Sequence, residues 1–135
     1  MALREGQTGK YSWRRTSLRS VLDDPNRYLP ADVQRKLLHG VVSGMAYLHS
    51  KVTNPIVHND LKSHNVLVFD NWCTKITDFG LSKESGSHTS LTTTPGAIGG
   101  TLKYWAPELF QNDVFTNGCD VYAFGVLAFE VATRE

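Results

Sequence analysis

The chain has 135 residues, 14 of them lysine or arginine and 13 aspartate or glutamate, for a net charge of +1. That length allows one domain at most, able to bury about two-thirds of its unfolded surface, and the balanced charge argues against a nucleic-acid or anionic-membrane surface. The longest apolar run, Val121 to Phe129, is nine residues with Gly125 inside it, half of what a membrane-spanning helix needs. The N-terminus, Met-Ala-Leu-Arg-Glu-Gly, lacks the apolar stretch of a signal peptide. Cys73 and Cys119 form no metal or redox spacing and read as reduced thiols of a cytoplasmic protein.

Residues 1–15 are polar, basic and without periodicity, which predicts an irregular lead-in before a domain spanning 16–135. Thr16 or Ser17 can cap a short helix through Leu22, stopped by Asp23-Asp24-Pro25-Asn26. A long helix follows from Ala31 to Ser50, because Val33, Leu37, Leu38, Val41, Met45 and Leu48 recur near a 3.6-residue period. Gly40 and Gly44 lie inside it at about 1 kcal/mol each relative to alanine, which predicts close packing against another helix. Thr53-Asn54-Pro55 reads as a turn. Ile56-Val57, Val66-Leu67-Val68 and Lys75-Ile76-Thr77 read as short strands, with Phe69-Asp70-Asn71-Trp72 turning the last two into a hairpin. Glu84 to Gly100 is rich in Ser, Thr and Gly and reads as a flexible loop. A final helix is expected from Asp120 to Thr133, with Asp120 at its N-terminus, where the dipole favours a carboxylate. His39, His49 and His64 read as structural or exposed.

Chemistry concentrates between Val57 and Val68, where Asp60, Lys62 and Asn65 fall within six residues bracketed by apolar runs. Apolar flanks anchor a short polar loop at the mouth of a core, the usual way a scaffold presents reactive groups. Ten residues on, Asp78-Phe79-Gly80 supplies a second carboxylate beside an aromatic ring and a hinge-capable glycine.

The stretch His58-Asn59-Asp60-Leu61-Lys62-Ser63-His64-Asn65 resembles the catalytic loop H-R-D-L-x-x-x-N of protein kinases, and Asp78-Phe79-Gly80 their D-F-G triplet. Gly100-Thr101, Ala106-Pro107-Glu108 and Asp120-Val121-Tyr122-Ala123-Phe124-Gly125 follow in the family's order. The resemblance runs from about Ser17 to Glu135. Lys62 and Thr101 follow the serine/threonine pattern, and the context looks most like the tyrosine-kinase-like group. It implies an α+β, mainly α fold: a partial large lobe with the small lobe absent.

The same resemblance implies roles. Asp60 would be the base that orients a protein Ser/Thr hydroxyl, and Lys62 would neutralise the γ-phosphate. Asn65 and Asp78 would hold Mg2+ of Mg-ATP. His58 and Phe79 would stack in a column tying the loop to the long helix, with Gly80 beside them. Thr101, Glu108 and Asp120 would position the substrate and the loop, and Thr92, Thr93 and Thr94 would be phosphorylation sites. Asn59 replaces the family's arginine and cannot form its bidentate pair with a loop phosphate.

No G-x-G-x-x-G loop or V-A-I-K lysine is present; Gly6, Gly9 and Lys10 follow no apolar strand. The expectation is therefore a kinase fragment with little activity alone. The rival expectations are an inactive lobe that binds a partner kinase or regulator through exposed apolar faces, and a truncated product that does not fold by itself. Phe124, Leu127 and Val131 are the residues expected to be partly exposed.

Overall fold

The computed structural model describes residues 16–50, 55–86, 99–112 and 115–135. The expected turn at Thr53-Asn54, the lead-in 1–15, and Thr92, Thr93 and Thr94 lie outside them. The architecture is α+β. Strand β1 (Thr16–Ser17) runs into helix α1 (Leu18–Asp23), and helix α2 (Ala31–His49) follows. Strands β2 (Ile56–Val57), β3 (Val66–Val68), β4 (Thr74–Ile76) and β5 (Lys83–Glu84) come next, then helices α3 (Leu109–Asn112) and α4 (Asn117–Thr133).

Helix α1 starts where its cap allows: Ser17 Oγ accepts from Ser20 N at 3.1 Å, satisfying one of the open N–H groups of a first turn. It ends at Asp24, whose carbonyl closes a turn with Arg27 N at 3.1 Å and whose Oδ1 accepts from Asn26 N at 3.0 Å. Arg134 adds a distant clamp, donating to the carbonyls of Val21, Leu22 and Asp24. These are the last carbonyls of α1, so the end of α4 closes the end of α1.

Thr16 and Ser17 do more than cap. They pair antiparallel with β3, Thr16 opposite Val68 and Ser17 opposite Leu67, and β3 pairs with β4 from Val66 opposite Ile76 to Val68 opposite Thr74. Strand β2 pairs instead with β5, Val57 opposite Lys83 and Ile56 opposite Glu84. The strands on either side of the polar loop thus belong to different sheets. Of the stretch expected to be a flexible loop, Glu84 is in β5 and Gly99–Gly100 open the helical turn Gly99–Tyr104; residues 87–98 lie outside the described residues.

The core joins Leu18, Val21 and Leu22 of α1, Leu37 and Val41 of α2, Val66 and Val68 of β3, and Leu127 and Val131 of α4. Helix α2 buries the predicted stripe of Val33, Leu37, Val41, Met45 and Leu48. Its glycines serve a strand and not a helix: a Cβ on Gly40 would collide with Thr74 Oγ1, and one on Gly44 would lie 3.0 Å from Ile76 Cδ1. Both neighbours are on β4, whose backbone comes close enough for Thr74 Oγ1 to donate to the Leu37 carbonyl at 3.0 Å.

Helix α4 starts one turn earlier than expected, at Asn117. Of its three residues expected to be partly exposed, only Phe124 is so. Leu127 and Val131 are fully buried and Phe124 is half-buried, whereas Val121 is 63% and Phe129 58% exposed. The reason is helical phase: Ala123, Leu127, Glu130 and Val131 share the face turned to the core. No helix among the described residues is long and apolar enough to cross a membrane.

Candidate active site

The polar loop hangs between β2 and β3 and is fixed at its start by one buried carboxylate. Asp120 Oδ2 accepts from His58 N at 2.8 Å and Oδ1 from Asn59 N at 3.0 Å. Oδ2 also accepts from His49 Nε2 at 2.8 Å. Asp120 sits in the first turn of α4 and His49 in the last turn of α2, so one side chain gathers two helices and the loop. Of the two roles expected of Asp120, cap of its own helix and holder of the loop backbone, its recorded bonds serve the second.

His58 is fully buried. Its Nδ1 accepts from Asp60 N at 3.3 Å, which leaves Nε2 to carry the hydrogen donated to the Thr77 carbonyl at 3.0 Å. Its ring meets that of Phe79 edge-on, with centroids 5.0 Å apart. Phe79 is itself 48% exposed, and among the described residues the hydrogen-bonded link toward α2 runs through His49–Asp120 rather than the ring pair.

Asp60 is buried, with its carboxylate held from two sides. Lys62 Nζ lies 2.8 Å from Oδ2, and Asn65 Nδ2 donates to Oδ2 at 2.8 Å and to the Asp60 carbonyl at 2.8 Å. Two residues separated along the loop thus converge on the carboxylate of a third. Charge-assisted bonds of this kind are about twice as strong as neutral ones.

The Asn65 carbonyl accepts from Thr77 N at 2.9 Å and from Thr77 Oγ1 at 3.2 Å. Those two bonds draw the residue before Asp78 onto Asn65, and so bring together the two expected metal ligands. Both donors of the Asn65 amide are engaged by Asp60, which leaves its oxygen for a ligand. The Asp78 carboxylate is exposed beside Gly80, whose Cβ would lie 3.4 Å from Asp78 Oδ1. One neutral and one charged hard oxygen suit Mg2+, which takes few protein ligands alongside phosphate and water. The donor types therefore suit Mg2+ held together with phosphate and water.

Backbone strain lies at Asn59 (φ 66) and Asp78 (φ 64), left-handed positions that Asn and Asp adopt more readily than other side chains, and not at Gly80. Asn59 has no ion pair to offer. Its Nδ2 donates to the Leu81 carbonyl at 3.0 Å, and its buried Oδ1 has no partner among the described residues. Ser82 Oγ donates to the His58 carbonyl at 3.2 Å, a second neutral tie between the loop and the segment after Gly80.

Sequence reasoning missed a second anchor. Tyr104 donates its hydroxyl hydrogen to Glu130 Oε2 at 2.6 Å. Its oxygen then accepts from Ser63 N at 3.4 Å and from Ser63 Oγ at 3.3 Å. Lys103 bonds Glu130 Oε1, and Arg19 lies 3.7 Å from the same oxygen. Burial and the Glu130 carboxylate push the Tyr104 phenol up to about 12. Burial also opposes the charged form of Glu130, but hydrogen bonds from Lys103 and Tyr104 hold the carboxyl below its usual range. One sequence signal was available: Glu130 is the lone acid after Asp120 in an apolar helix, and buried acids are almost always paired.

Glu108 is half-buried, with its Oε1 3.7 Å from where a Cβ on Gly118 would sit, near the start of α4. Thr101 lies in the helical turn 99–104, and its side chain is outside the described residues. His64 is exposed, as expected.

Comparison with known proteins identifies the family. A probable receptor-like serine/threonine-protein kinase of Arabidopsis thaliana is 41% identical over 102 residues, 76% of this chain and 23% of that protein. An L-type lectin-domain containing receptor kinase of Oryza sativa subsp. japonica is 44% identical over 106 residues, 78% of this chain and 15% of that protein. A probable serine/threonine-protein kinase of Dictyostelium discoideum is 43% identical over 124 residues, 90% of this chain and 12% of that protein. The chain thus spans less than a quarter of the length of these relatives. The profile of the protein tyrosine and serine/threonine kinase family matches residues 12–135, which takes in the loop, both anchors and all four helices: the chain belongs to the protein kinase family.

Proposed function

We propose that this chain is the large-lobe part of a serine/threonine protein kinase, of the tyrosine-kinase-like group, and that Asp60 is its base. The observation that carries this is the convergence of Lys62 and Asn65 on the Asp60 carboxylate, at 2.8 Å each, in a loop pinned by Asp120. A held carboxylate can accept a hydroxyl proton and aim the oxygen, and phosphoryl transfer asks the protein mainly for positioning and electrostatics. Lys62 keeps a cation at the place where negative charge would grow. Asn65 and Asp78 supply the oxygens for Mg2+. Bound Mg-ATP supplies the phosphoryl group and the divalent charge that neutralises it. The names of the relatives support a serine/threonine substrate, as do Lys62 and Thr101. Free Cys73 and Cys119 suit a reducing cytoplasmic setting.

The test is Asp60→Asn in a kinase carrying this chain. Phosphate transfer to a protein substrate should fall by roughly 10²–10⁴, with Mg-ATP affinity unchanged. Transfer within tenfold of the parent would remove Asp60 from the role.

A further inference from the structure

We propose that Glu130 and Tyr104 are positioning residues that hold the middle of the catalytic loop, at Ser63, against helix α4. This rests on the reading of Asp60 as the base. Asp120 fixes only the start of the loop, through the amides of His58 and Asn59. The two residues that grip Asp60, Lys62 and Asn65, come later and flank Ser63. Asn65 is held at the far end by Thr77, and the stretch between needs a fixed point of its own.

The hydrogen bonds give that point a single direction. The Tyr104 hydroxyl has one hydrogen, and it goes to Glu130 Oε2 at 2.6 Å. The Ser63 hydroxyl, 3.3 Å away, must then donate to the phenol oxygen, as Ser63 N does at 3.4 Å. Every donor points toward Glu130. That carboxylate is 1% exposed, where an ionised acid is stable only when paired and hydrogen-bonded. Lys103 from the 99–104 turn and Arg19 from α1 provide the pairing. Glu130 thus joins α1, that turn and the loop to α4. The same contacts keep Glu130 ionised and Tyr104 protonated at ordinary pH, the states this hook requires.

Hydrogen–deuterium exchange on the 135-residue chain tests the hook without needing turnover. Tyr104→Phe keeps the ring and removes both the donor to Glu130 and the acceptor for Ser63. Exchange over residues 60–66 should quicken roughly tenfold, the scale of losing one net hydrogen bond, while residues 31–49 keep their rate. Lys103→Met, at a half-exposed position outside the core, should quicken the same segment by a smaller factor. Unchanged exchange over 60–66 in Tyr104→Phe overturns the proposal. So does equal quickening of 31–49 and 60–66 in Tyr104→Phe with no change in Lys103→Met, because the network would then serve general stability alone. Loss of the Asp60 reading would appear in phosphate transfer and leave these exchange rates untouched.

Discussion

Helices α2 and α4 lie side by side in one core and are built on opposite plans. Helix α2 has an apolar stripe facing inward and Asp32, Arg35, Lys36 and His39 on its other faces, the ordinary division for a helix with water on one side. Helix α4 carries no charged residue between Asp120 and Glu130, and both of those acids are buried. Its outward face shows Val121, Tyr122 and Phe129. In α2 the charged residues meet solvent and the apolar stripe holds the fold, with His49 alone turned to the site. In α4 the two acids hold the site, from inside. A charge placed in the core on one helix face can collect backbone amides and side chains from several loops, which an apolar contact cannot do.

The sharpest way to break this contrast is to remove Asp120. Asp120→Ala strands the amides of His58 and Asn59 and removes the partner of His49. Losing one partner of a buried charged network costs about 3–5 kcal/mol. Urea unfolding should show a loss in that range, against about 0.5 kcal/mol or less for Arg35→Ala on the outer face of α2. Losses of equal size at the two positions would erase the distinction.

The Glu130 end of α4 sharpens it through pH. Tyr104 is nearly buried, and its folded-state value of about 12 lies above the ordinary 10.0. The unfolded chain therefore releases this proton first as pH rises. The stabilisation is complete below pH 10 and is lost as pH climbs through about 12, a decline of about 2–3 kcal/mol at most. Glu130 has the opposite sign: its folded carboxyl is lowered, so its contribution is present above the usual carboxylate range and disappears as pH falls through the folded value. Urea unfolding of Tyr104→Phe beside the parent isolates the alkaline part. The parent should lose stability more steeply between pH 10 and 12, and parallel curves would show that Tyr104 does not carry it.

The elements that repeat a pattern were legible in the sequence. The stripe of α2 stood out because it holds for five turns, and the loop and D-F-G triplet because chemistry confines residue types to fixed spacing. The strands β1 and β5 were not legible, because Thr16-Ser17 and Lys83-Glu84 are polar pairs whose pairing is set by distant partners, whereas the equally short Ile56-Val57 showed itself as an apolar pair. The Ser63–Tyr104–Glu130 hook was missed for a related reason: its members are 41 and 26 residues apart, and only the lone acid in an apolar helix pointed to it. The exposed side of α4 was misplaced because an almost wholly apolar helix gives periodicity no contrast with which to fix its phase.

The smallest expected effect makes the two helices answer one substitution with opposite signs. Alanine for glycine inside a helix gains about 0.5–1 kcal/mol from propensity and the unfolded chain's lost freedom. Gly125 of α4 has nothing within 4 Å of a new Cβ, so Gly125→Ala should keep that gain. Gly40 of α2 faces Thr74 Oγ1 at a separation no methyl group tolerates. Thr74 cannot simply turn away, because it is buried and its hydroxyl is bonded to the Leu37 carbonyl at 3.0 Å. Either the strand moves off the helix or the hydroxyl loses its acceptor, at about 1–3 kcal/mol in each case. Gly40→Ala should therefore come out net destabilising by about 1–2 kcal/mol, once the propensity gain is subtracted. Thr74→Ser in the Gly40→Ala background leaves the hydroxyl and the clash in place, whereas Thr74→Ala removes both. Recovery in the second double variant and not in the first would trace the cost to that oxygen. Stabilisation by Gly40→Ala alone would mean that β4 does not press on α2 as closely as the structure has it.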